Sequence, residues 1–153
     1  MPTNDDLADA LSMDERRSLR CLVGLMIPAS PEYRVPGADD DTIFADIVAS
    51  LGRDAAAVKQ AVQQLNTLAG GVFADLPPAR QHAVAEHFRR TGGTAVHAVT
   101  RTTAQCYYRD DRVMQSLGME LRGPFPKGFD VEPGDWSLLD PVRTRPPFYR
   151  RTS

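Results

Sequence analysis

The chain has 153 residues, of which 42% are hydrophobic and 25% charged, with a formal net charge of −2. This length fits one domain able to bury about 70% of its unfolded surface, and the near-neutral balance gives no overall field toward nucleic acid or an anionic membrane. No apolar run approaches the roughly 18 residues of a membrane span, so none is expected.

Residues 1–11 are polar and expected to fray. Ser12-Met13-Asp14-Glu15 spells a capping box. It predicts a helix from Met13 to Leu25, with Leu19, Leu22, Val23 and Met26 falling on one face and Ile27-Pro28 ending it. Glu15 to Arg20 (ERRSLR) followed by CLVGLMI has the outline of a twin-arginine export signal. Acidic residues precede it and Pro28 cuts the apolar run short, so a core helix is expected instead. On that reading the compartment is the cytoplasm; export to the periplasm together with a partner is the alternative.

Pro31, Pro36 and Gly37 set turns in the next loop. Asp41 or Thr42 is expected to cap a second helix, Ile43 to Leu51, with Gly52 supplying its left-handed stop. A third helix follows Asp54, through Val58, Val62, Leu65 and Leu68, and stops at Gly70-Gly71. Leu76-Pro77-Pro78 opens a fourth, with Ala83, Val84, His87 and Phe88 as its inward stripe. A fifth runs from Thr94 to Tyr107 on Val96, Val99, Thr103 and Cys106, and Asp110 or Asp111 caps a short sixth, Arg112 to Leu117. No segment alternates as a strand does. The expected fold is all-α: an irregular bundle of five to six helices over 12–118, with a long extended C-terminal arm over 119–153.

That arm holds six of the twelve prolines and five of the eleven aromatic residues, a composition too apolar for a solvated tail. It packs either on its own helices or on a partner, and the composition leaves both open. Arg143, Arg145, Arg150 and Arg151 make its end basic, which reads as a solvated or partner-facing edge.

Catalytic chemistry is sparse. His82 and His87 enclose HAVAEH, but a spacing of five turns two helical side chains apart, unlike the i, i+4 pair of a zinc helix. His87 is expected half-buried in the core and His82 exposed. Asp39-Asp40-Asp41 lacks the alternating ligands and late glutamate of a calcium loop. Cys21 and Cys106 fit buried free thiols or one disulfide. No catalytic, cofactor-binding or metal-binding residue is assigned. The residues chosen for partner binding are Tyr107, Tyr108, Phe125, Phe129, Trp136, Leu138, Leu139, Phe148 and Tyr149, since aromatic residues anchor interfaces. Two alternatives stay open: a small stand-alone enzyme using His87 beside Glu86, and a helical regulator or small-ligand carrier.

Three segments, in order, carry a resemblance: LSMDERRSLRCLVGLMIPAS, then VPGADDDTIFADIVASL, then YYRDDRVMQSLGMELRGPFPKGFDVEPGDWSLLDPVRTRPPFYRR. The order resembles the gluconate 2-dehydrogenase subunit 3 family, with Ile27-Pro28, Pro36-Gly37-Ala38 and Tyr107-Tyr108 through Gly128 in the family's positions. The likeness covers most of residues 11 to 150. It implies a non-catalytic small subunit of a flavin-dependent dehydrogenase of the glucose–methanol–choline type. In such complexes the large subunit carries FAD and the catalytic histidine and needs the small one to fold or mature, and many systems add a multihaem cytochrome c as electron acceptor. Many members also bear a twin-arginine signal. This sequence departs there, because its first residue lies almost directly before the opening helix.

Overall fold

Caps and helix stops set the boundaries of nearly every element. The computed structural model describes residues 11–121, 123, 128, 130 and 132–146. Two units divide the chain, Met1–Leu121 and Arg122–Ser153, slightly beyond the expected boundary at 118.

In the first unit, α1 (Met13–Met26) opens on a complete capping box. The Ser12 N–H donates to Glu15 Oε2 at 2.7 Å, and the Glu15 N–H donates to Ser12 Oγ at 3.2 Å. α2 spans Asp41–Ala49 and its cap is Asp40, one residue earlier than expected, whose carboxylate accepts from the Thr42 and Ile43 N–H groups. α3 (Ala55–Ala69) stops at Gly70, which is left-handed at φ 72°. Asp54 does not cap it; the Asp54 carboxylate is engaged instead by Arg101 at 2.6 Å. α4 (Pro78–Thr91) begins with proline in its first turn, and α5 spans Gly93–Tyr107. α6 (Asp111–Ser116) is capped by Asp110, which accepts from the Arg112 N–H. Among the described residues there is no strand; an isolated bridge joins Ser30 and Val35.

The second unit departs from the expected structureless arm. A 3₁₀ turn, Trp136–Leu139, runs into α7, Asp140–Arg143. Asp135 caps the turn by accepting from the Ser137 N–H, and Pro141 fits the first turn of α7. Eight residues of helical backbone are too few for a 3.6-residue period to register in the sequence.

α3 is the hub of the bundle and packs against α1, α4 and α5. Its Ala61, Val62 and Leu65 are wholly buried, facing the apolar stripe of α1, Val84 and Phe88 of α4, and Val99 of α5. The inward stripe of α4 is narrower than expected. Ala83 and His87 are both exposed, because a pure i, i+4 pairing of Val84 with Phe88 rotates their neighbours outward. Leu11, expected in the frayed terminus, is a core residue.

A polar seam joins α1 to α3. Asn66 Oδ1 accepts from Ser18 Oγ at 2.7 Å and from the Phe73 N–H at 2.9 Å, so one carboxamide ties α1, α3 and the 3₁₀ turn Phe73–Asp75 together. One turn away, Glu15 accepts from Gln63 Nε2 at 2.9 Å and lies 4.0 Å from Lys59 Nζ. Burial pushes the Glu15 carboxyl up, but the Ser12 N–H, Gln63 and Lys59 together outweigh it, and its pKa falls below the ordinary value.

Truncating Asn66 strands a hydroxyl and a backbone N–H. Asn66→Ala is therefore expected to lower unfolding free energy by about 1–3 kcal/mol in urea denaturation, whereas the exposed Gln64→Ala stays within about 0.5 kcal/mol. Because the folded pKa of Glu15 is depressed, its contribution is complete above the ordinary value of 4.5 and lost as pH falls through the folded value. The stability gap between wild type and Glu15→Gln is thus expected to be widest near neutral pH and to narrow below pH 4.5, as followed by thermal melts across pH.

Candidate partner-binding surface

The end of α1, the loop after it and residues 107–112 meet at one end of the first unit, called the motif end below. After α1 the chain turns at Ile27-Pro28, makes a tight loop closed by the Ser30–Val35 bridge, and returns. The Ala38 N–H then donates to the Ile27 carbonyl at 2.9 Å. Close approach makes this return possible. A Cβ on Gly37 would lie 2.9 Å from the Ala29 nitrogen and collide with the Asp39 carboxylate, and a Cβ on Gly24 would meet the same carboxylate at 2.9 Å. Asp39 thus lies over two glycines, while Ala38 is wholly buried.

Residues 107–112 close over the loop and α2. Tyr107 OH donates to the Pro36 carbonyl at 3.2 Å. Arg109 grips Asp46 with Nε at 2.7 Å and a terminal nitrogen at 2.5 Å, and also reaches Ser50 Oγ. Arg112 spans Asp40 at 2.7 Å and Asp110 at 3.0 Å, and so bridges the caps of α2 and α6. Arg112 holds the Asp40 and Asp110 carboxyls below the usual range, and Arg109 does the same for Asp46. On the other side Arg20 reaches Asp41 at 2.5 Å and the Asp39 carbonyl at 2.9 Å. The aspartate run is consumed by arginines and a helix cap; among the described residues no cluster of three or more His, Cys, Asp or Glu is placed to hold a metal.

The residues chosen for partner binding separate into three sets. Tyr107 is 4% exposed and belongs to the core, which corrects its assignment: its ring is packed inside and its hydroxyl is spent on Pro36. Tyr108, edge-on to it at 5.3 Å, is 57% exposed. In the second unit Trp136 and Leu138 are 66% and 74% exposed, and Leu139 and Val142 are exposed with them. Phe125, Phe129, Phe148 and Tyr149 lie outside the described residues.

Six further apolar residues of the first unit are exposed: Met13 at the start of α1, Tyr33 in the tight loop, Leu68 at the end of α3, where an inward position was expected, and Leu117, Met119 and Leu121 after α6. For the last three the signal was present in the sequence. Gly118, left-handed at φ 73°, ends α6 and breaks the helical period that would have buried the residues after it.

One concavity of the first unit is a groove between α1, α4 and α5, about 560 Å³ in volume. Leu22, Phe88 and Val99 form its buried floor; Leu25, Met26, Ala85 and Val96 are half-buried along its walls. His82, Glu86, Arg89 and Thr100 supply its polar lip. Acid–base chemistry is poorly served here. Arg89 and Arg90 hold the Glu86 carboxyl below the ordinary range, and His87 lies outside the groove on an exposed face. Both cysteines are free thiols, Cys21 half-buried and Cys106 buried; burial pushes both up and away from the thiolate.

Gly37→Ala is expected to cost about 1–3 kcal/mol, because its new methyl has no room between Ala29 and Asp39. Gly71→Ala, with open space around it, is expected to stay within about 0.5 kcal/mol. Chemical denaturation of the two variants side by side checks this.

No family model matches the chain, and neither a curated protein nor a solved structure matches it.

Proposed function

We propose that this chain is the non-catalytic small subunit of a flavin-dependent dehydrogenase of the glucose–methanol–choline type, which stabilises or matures an FAD-bearing large subunit that oxidises a sugar or another alcohol. The observation that carries the reading is the exposed apolar run of the second unit: Trp136, Leu138, Leu139 and Val142 all face solvent within seven residues. Apolar groups so concentrated are a liability on a free monomer and mark an interaction site, and tryptophan is the residue most enriched at binding hot spots. Tyr108, Leu117, Met119 and Leu121 add exposed apolar surface on the first unit.

One further point supports the reading. Parts of all three segments of the family resemblance meet through Ile27–Ala38, Pro36–Tyr107 and Asp40–Arg112, so the likeness rests on residues that work together in this fold. FAD belongs to the partner in this reading, a cytochrome c serves as acceptor in such systems, and the assembly resides in the cytoplasm unless the two subunits are exported together to the periplasm.

Co-expression with a glucose–methanol–choline-type subunit from the same genome tests the proposal. A tag on this chain is expected to recover both subunits in equal amounts with the visible absorbance of bound flavin. Trp136→Ser combined with Leu138→Ser is expected to lower the flavin-loaded yield at least about tenfold, the loss of about 1.4 kcal/mol or more of binding free energy. A flavoprotein that folds and loads FAD equally well without this chain would overturn the proposal.

A further inference from the structure

We draw no further inference here: the strongest candidate, the apolar groove between α1, α4 and α5 floored by Leu22, Phe88 and Val99, is an unpartnered face whose lip charges Glu86 and Arg89 answer each other, and nothing in the structure shows what covers it.

Discussion

The return of residues 36–39 onto the end of α1 is the contact on which the motif end depends. Without Gly24 and Gly37 the Asp39 side chain could not lie between the loop and α1, and the Ala38 N–H could not reach Ile27. That return presents the Pro36 carbonyl to Tyr107 and sets Asp40 where it can both cap α2 and receive Arg112. The arginine clamps are individually weak, about 0–1 kcal/mol each at such exposure. Their role is geometric: they lock the register of α6 against α2 once the loop has made it available.

Two surfaces of the helical body have different characters. The motif end is dense in guanidinium–carboxylate pairs and fringed by exposed Tyr108, Leu117 and Met119. The α1–α4–α5 groove is apolar at its floor and has ion pairs only at its lip. Interfaces and ligand slots are ordinarily built this way, the first by apolar anchors inside a polar rim and the second by an apolar cavity with a few placed polar groups.

Much of the helical body was legible in the sequence because local chemistry and tertiary packing agree there. Ser12 and Glu15, Gly70, Pro78 and Asp110 each mark a boundary by a backbone requirement that no distant contact overrides. The failures arose where a distant partner competed. Asp54 does precede α3 as expected, but its carboxylate is drawn to Arg101, forty-seven residues away, and gives the helix no side-chain cap. His87 falls at helical spacing with Ala83, Val84 and Phe88, and only the packing of α4 on α3 decides which of the stripe turns out. Tyr107 and Tyr108 are adjacent and chemically alike, yet one is core and the other exposed, since rotation about a helix separates consecutive residues by about 100°. The groove itself had no sequence signature; it is a gap between three helices, each of which reads as an ordinary amphipathic segment.

The clamps share one chemical bias. Every cation in them is an arginine, and every acid they hold is an aspartate. A guanidinium does not surrender its proton in any solvent a protein survives, whereas a carboxylate can be neutralised. The arginine clamps therefore respond to solvent acidity in one direction only: alkaline conditions leave them intact, and acid alone unfastens them.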